Sequence, residues 1–279
     1  MKSQSKCYGT AGNPESRPMP IDQSTIAFAH KLADAAGAVI RPYFRRKIDI
    51  VDKGDGFFDP VTAADKGAEQ AIRAIIKCER PEDGILGEEY GEEKGTNAWR
   101  WVLDPVDGTR AFIAGQPMWG TLIALEENGR PVLGVLDQPF LKERFIGHDG
   151  QAFLVDGAGT RPLAVRRCER LAEAVVCTTH PFAHLNDIDR ARFRRVELAA
   201  RLSRYGGDCY AYGLVAMGFI DLVIEASLKR WDIAAIVPII EGAGGIITDW
   251  EGRPWRDAGP AMAAGDRRVH AEALKLLAG

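Results

Sequence analysis

The stretch Trp101-Val102-Leu103-Asp104-Pro105-Val106-Asp107-Gly108-Thr109 sets two carboxylates three residues apart where a strand runs into a turn. Trp-Val-Leu is apolar and β-prone, Pro105 has no N–H for a ladder, and Gly108 accepts positive φ, so the strand is expected to stop at Asp104. Both acids then belong to the carboxyl end of a strand. The amides of Gly108 and Thr109 open the next segment, an arrangement suited to an anion such as phosphate. Carboxylate oxygens beside an anion nest point to Mg2+ and a phosphoryl group.

Three further acidic motifs lie around this one. Gly87-Glu88-Glu89 ends the apolar run Gly84-Ile85-Leu86, Asp59-Pro60-Val61-Thr62-Ala63-Ala64-Asp65 opens a helical pattern, and Trp231-Asp232-Ile233-Ala234-Ala235 follows far downstream. In this order, from about Ser24 to the end of the chain, the four motifs resemble those of the Mg2+-dependent phosphatases of the inositol monophosphatase superfamily. The resemblance implies a layered α/β fold, an αβαβα sandwich of the sugar-phosphatase type, and a phosphomonoesterase that uses two or three Mg2+ ions.

By that likeness Glu88, Asp104 and the carbonyl of Val106 bind one ion, and Asp104, Asp107 and Asp232 a second, with Asp104 bridging. Asp65 reaches a metal through water. Asp107 with the Gly108 and Thr109 amides grips the phosphate, while the Thr109 hydroxyl and Glu88 orient the attacking water. No covalent intermediate is implied. Two segment pairs, Thr121–Leu125 with Gly134–Gly147 and Gly206–Tyr212 with Phe219–Glu225, resemble the histidinol-phosphate phosphatase branch. Hydrolysis of L-histidinol phosphate in histidine biosynthesis is the expected activity. The rivals are a broad inositol-phosphate phosphatase and a non-catalytic regulatory module on the same fold. Glu225 matches the residue that reads the leaving group in inositol phosphatases, and Asp208 falls where those enzymes carry a small residue. Histidinol bears an ammonium and an imidazole, so two pocket acids suit it better than a neutral polyol.

Each acid also has a plainer reading. Asp65 follows Thr62 at the spacing of a capping box, Asp232 and Asp208 could each cap a helix, and Glu89 could be a solvated neighbour of Glu88. Asp104 and Asp107 have no such role and repel one another unless a cation lies between them. The histidines, His30, His148, His180, His184 and His270, show no zinc spacing and read as structural or surface groups.

Working outward, Ile26, Ala29, Leu32, Ala33, Ala36, Val39, Ile40 and Tyr43 recur at helical spacing behind Asp22 or Ser24, and Pro42 should end that helix. Another helix from Thr62 should bury Ala64, Ala68, Ile72, Ile75 and Ile76. Asn128-Gly129 and Asp149-Gly150 mark two β-hairpins. Residues 21–157 thus read as a helix-covered antiparallel α+β half that binds metal and phosphate. An α/β half over 158–279 completes the site: strand 174–178, helices 187–203 and 208–217, strand 220–225, helix 232–241 and strand 245–250.

Composition is ordinary for a soluble globular chain of 279 residues: 46% hydrophobic, 27% charged, 36 Lys plus Arg against 39 Asp plus Glu. No basic run tracks a nucleic-acid backbone, and no apolar stretch is long enough to span a bilayer. Five cysteines without Cys-x-x-Cys spacing argue for free thiols and a cytoplasmic location. Residues 1–20 read as a disordered tail, and family likeness implies a homodimer.

Overall fold

The structure, a computed structural model, describes residues 20–47, 49–52, 60–255 and 257–279. The expected tail, Pro20 excepted, lies outside the described residues, as do Cys7 and Asp59. The chain opens with α1 (Gln23–Ile40), capped by the Asp22 carboxylate, which accepts the Thr25 amide, and ends just before Pro42. After β1 (Ile50–Asp52) and β2 (Pro60–Thr62) comes α2 (Ala63–Glu79), started by a Thr62–Asp65 capping box. The apolar stripes expected of both helices are buried, with Ile26, Val39, Tyr43 and Ile75 at the margin of the core.

The first sheet is built from β3 (Gly84–Gly87), β4 (Gly91–Glu93), β5 (Trp99–Asp107), β6 (Gly120–Glu127), β7 (Arg130–Gln138), β8 (Glu143–His148), β9 (Gln151–Asp156) and β10 (Gly159–Pro162), in the order β10-β9-β8-β7-β6-β5-β3-β4. Only β3 and β5 run parallel. Asn128 and Gly129, and Asp149 and Gly150, all have positive φ, the signature of two-residue type I′ hairpins. The sheet's last strand lies beyond the expected division between residues 157 and 158.

One expectation at the decisive stretch fails. β5 does not stop at Asp104 but continues to Asp107, because the ladder to β6 shifts register from Asp104↔Leu122 to Asp107↔Gly120. That bulge places Pro105 where its missing N–H is not needed, and the freed Pro105 carbonyl takes the Thr121 hydroxyl at 2.8 Å. The short α3 (Thr109–Ile113) follows at once.

The second sheet has β11 (Val175–Thr178), β12 (Leu202–Tyr205), β13 (Leu222–Leu228), β14 (Ile246–Thr248) and β15 (Gly259–Ala264), ordered β12-β11-β13-β15-β14. Its helices are α4 (Asp187–Ala199), α5 (Asp208–Ala216), α6 (Arg230–Ile233), α7 (Ile236–Gly242) and α8 (Arg267–Ala278). Three further expectations change. The helix expected to reach 203 ends at Ala199, and Leu202–Tyr205 instead pairs in parallel with β11. The strand expected at 220–225 starts and ends later, as β13. The helix expected over 232–241 is two, because Pro238 is tolerated only in a first turn, and α7 supplies that turn.

Three apolar clusters define five layers. One lies between α1, α2 and the first sheet; a second fills the space between the two sheets around α5, α6 and α7; the third lies between the second sheet and α4 with α8. In the middle layer α7 meets the first sheet backbone to backbone: a Cβ on Gly134 would stand 1.9 Å from Ala235 O, and one on Gly147 2.3 Å from Pro238 O. No helix among the described residues is long and apolar enough to cross a membrane.

Candidate active site

The bulge that prolongs β5 decides where its acids go. Asp104 is buried, and its Oδ1 accepts the Val106 amide at 3.1 Å across the bulge. Asp107 ends the strand, with Oδ2 accepting the Cys209 amide at 2.7 Å at the start of α5. Asp232, from α6, accepts the Lys229 amide at 2.7 Å through Oδ2. The three acids converge: one carboxylate oxygen of each lies within 4.8 Å of the others. Glu88 leaves β3 on the turn beside β5, its amide donating to Leu103 O at 3.1 Å, and its carboxyl is a hydrogen-bonding neighbour of Asp104.

These carboxyls raise one another's proton affinity. Burial first, then the charges of Glu88, Asp107 and Asp232, hold Asp104 well above the usual carboxylate range. Burial and Asp107 do the same for Asp232, while burial lifts Asp107 against its hydrogen bonds from Cys209. Among the described residues, no Lys or Arg forms an ion pair with any of the three. Oxygen donors of like charge, convergent, half-buried to buried and without an ion-pair partner, suit a hard divalent cation.

Asp65 forms the expected capping box and also stands beside Thr109. Its Oδ2 closes the capping box with the Thr62 amide at 3.0 Å, while Oδ1 lies 3.5 Å from the Thr109 hydroxyl. Burial raises its pKa, with the Thr62 hydrogen bonds opposing. Thr109 Oγ1 also lies 3.0 Å from Val106 O, to which it donates. Between them Gly108 has φ +86°, and a Cβ there would meet Met118 O at 2.8 Å and Asp208 Cβ at 3.0 Å. The conformation and the space both call for glycine.

Asp208 is not a cap. The N-cap of α5 is Gly207, and among the described residues no hydrogen bond ends on the Asp208 carboxyl, although the residue is half-buried and takes φ +42°. Burial, then the charges of Asp107 and Glu225, push its pKa up to about 8, with Arg110 opposing. Glu225 is buried on β13 and accepts the Thr179 amide at 2.6 Å and the Thr179 hydroxyl at 2.9 Å. Burial lifts it to about 7 despite those bonds.

Several participants carried no signal in the sequence. Cys209 and Thr179 act through backbone amides, which no motif announces. Arg110, directly after Thr109, meets His184 Nε2 at 2.7 Å, so one histidine taken as structural or superficial stands beside the site. Tyr212, four residues after Asp208, buries its hydroxyl without a hydrogen-bond partner among the described residues, under the charges of Glu225, Asp107 and Asp232.

The profile of the inositol monophosphatase family matches residues 22–278. The chain is 46% identical over 269 residues to the chloroplastic bifunctional phosphatase IMPL2 of Arabidopsis thaliana, covering 90% of this chain and 74% of that one. It is 38% identical over 229 residues to a histidinol-phosphatase of Chlorobaculum parvum, covering 82% and 86%. Among solved structures, an inositol monophosphatase from Zymomonas mobilis superimposes with a TM-score of 0.82 at 45% identity, over 92% of this chain and 98% of that one.

Proposed function

The chain belongs to the inositol monophosphatase family and is a phosphatase of that family, and from this premise we propose that it is a Mg2+-dependent phosphomonoesterase acting on L-histidinol phosphate. Glu88, Asp104, Asp107, Asp232, the Val106 carbonyl and, less directly, Asp65 would hold the ions. Bound there, Mg2+ supplies a water acidic enough to ionise near neutral pH and neutralises charge building on the phosphoryl oxygens. The protein's own groups do the rest. The amides that open α3 lack intrahelical acceptors and face the phosphate after the Gly108 turn. The Thr109 hydroxyl, fixed by Val106 O and flanked by Asp65, orients the attacking water together with Glu88.

The Asp208 carboxyl carries the substrate assignment. It is half-buried, accepts no hydrogen bond among the described residues, and is charge-crowded by Asp107 and Glu225. A cationic ligand group would supply the missing hydrogen-bond donor and offset the crowding that Arg110 only partly opposes, and an amino alcohol phosphate brings such a group. Relatives named histidinol-phosphatase support the reading. The rival, an inositol-phosphate phosphatase, is favoured by the likeness to the Zymomonas mobilis structure. The reading carries with it a homodimer working in the cytoplasm, where the unpaired thiols of Cys78, Cys168, Cys177 and Cys209 would persist. Turnover of L-histidinol phosphate and inositol 1-phosphate, measured side by side with Mg2+ and with excess chelator, tests it. Preference for the inositol ester overturns the substrate, and full activity in chelator overturns the metal.

A further inference from the structure

Glu69 lies four residues after Asp65, one turn further along the same face of α2, and is wholly buried. Its carboxylate ends beneath the turn that carries Glu88. Oε2 accepts the Glu89 amide at 2.8 Å and Oε1 the Tyr90 amide at 3.2 Å. Arg73, another turn along and also buried, donates Nε to Oε1 at 2.7 Å. Its remaining nitrogens reach Gly91 O and, at 2.7 Å, Glu93. There is no slack in the fit: a Cβ on Gly87 would stand 2.0 Å from Glu69 Oε1.

A buried carboxylate is tolerated only when its lone pairs are used, and two amides and a guanidinium use these. Glu88 lies between Gly87, against which Glu69 packs, and Glu89, whose amide Glu69 holds. On its other side the Glu88 amide is tied to Leu103 O, one residue before Asp104. Left to itself, the Glu88 carboxylate would swing away from Asp104, Asp107 and Asp232, because like charges repel.

We propose that Glu69 is a positioning residue for Glu88: it locks the Gly87–Tyr90 turn to α2 so that Glu88 stays at the acidic cluster, and it thereby sets the affinity for the cation. α2 then carries two acids with different duties, Asp65 towards Thr109 and Glu69 beneath Glu88. The proposal rests on the reading of Glu88 as a cation ligand.

The test is calorimetric titration of the full chain with Mn2+ alone, in wild type, Glu69→Gln, Arg73→Lys and Glu88→Gln, with the melting temperature of each measured without metal. Glutamine keeps the shape, but its amide nitrogen cannot accept a backbone proton or pair with Arg73. Glu69→Gln should weaken Mn2+ binding by about tenfold, the lower end for loss of a group that orients a ligand, and Glu88→Gln at least as much. Weakened binding in Glu88→Gln beside unchanged binding in Glu69→Gln, even with a lowered melting temperature, overturns the proposal and leaves the ligand reading standing. Unchanged binding in Glu88→Gln overturns the ligand reading and the proposal with it. If Glu69→Gln does not fold, Arg73→Lys decides: lysine cannot fork between Glu69, Gly91 and Glu93, so a severalfold loss of affinity supports the proposal and wild-type affinity refutes it.

Discussion

Glu126, wholly buried on β6, takes the Arg230 guanidinium at 2.6 Å through Oε1 and the Arg100 guanidinium at 2.7 Å through Oε2. Arg100 belongs to β5 and Arg230 opens α6, so one carboxylate ties together the two elements that bring Asp104 and Asp232 face to face. Glu126→Gln removes the buried carboxylate that both guanidiniums share and leaves Arg100 only Glu92 and Arg230 only Asp257 as counter-charges, both of them more exposed. It should destabilise the fold by roughly 3 kcal/mol, the lower end for a broken buried pair because Arg100 keeps some solvent. Urea unfolding checks this, and a change within error would mean that the pair is energetically idle.

The acidic cluster should show opposite effects on activity and on stability. On the proposed metal assignment, Asp104→Asn or Asp107→Asn should abolish turnover at saturating Mg2+. Each also removes one charge from a crowded, buried set, so the metal-free variants should melt at least as high as the wild type. Thermal unfolding in chelator and phosphate release with Mg2+ separate the two effects. Near-normal turnover in either variant would sink the metal assignment.

Thr109→Ala should cost on the order of a hundredfold in kcat, because the hydroxyl held by Val106 O and flanked by Asp65 is assigned to the attacking water. A hydroxyl that merely tied the turn would cost stability and leave kcat alone. Kinetics at saturating Mg2+ beside a melting curve distinguish these outcomes.

Stability without metal should fall as pH rises. Asp208 and Glu225 are pushed up to about 8 and about 7 in the folded protein, whereas both acids titrate near pH 4 once unfolded. Between those values the folded state keeps protons that the unfolded state has lost, so their contribution, complete below about pH 4, is gone by about pH 8. The melting temperature in chelator should therefore drop across that window, and the double variant Asp208→Asn/Glu225→Gln should make the drop shallower, the raised Asp104, Asp107 and Asp232 keeping the remainder. A wild-type curve already flat from about pH 5 to 8 would contradict the shifts.

Specificity should separate from scaffold in kcat/KM. Asp208→Asn should weaken L-histidinol phosphate by a charge-assisted hydrogen bond, roughly 1.5–3 kcal/mol, and glycerol phosphate much less. Glu225→Gln is a less clean variant, since Thr179 already uses that carboxylate. Equal losses on both esters from Asp208→Asn would make this acid part of the metal or scaffold machinery.

What the sequence disclosed divides along physical lines. The hairpins at Asn128-Gly129 and Asp149-Gly150 and the caps at Asp22 and Thr62 are local chemistry, and local chemistry is legible. The limit of β5 was misread because Pro105 forbids a regular ladder but not a bulge, and the bulge depends on where β6 lies. Leu202 and Ser203 read as the end of a helix, because the strand character of Leu202–Tyr205 comes from its pairing with Val175–Thr178, distant in the chain. At the site, the motifs named Asp104, Asp107 and Asp232, and the fold brings these together. That Asp208 fails to cap α5, that Cys209 and Thr179 serve through their amides, and that Glu69 supports the Glu88 turn all depend on contacts between distant segments, which leave no spacing to read.

At Gly134 and Gly147, α7 rests on the first sheet with only hydrogen atoms between the two backbones. Where no side chains intervene, nothing can yield: the helix cannot slide or tilt by fractions, and it seats in one register or does not seat. α6 precedes α7 by two residues and carries Asp232, so that seating also sets the distance from Asp232 to the acids of β5. A methyl group in place of either hydrogen touches none of the three acids, yet by unseating α7 it would draw Asp232 away from Asp104 and Asp107, turning a fault of packing into a fault of the acidic cluster.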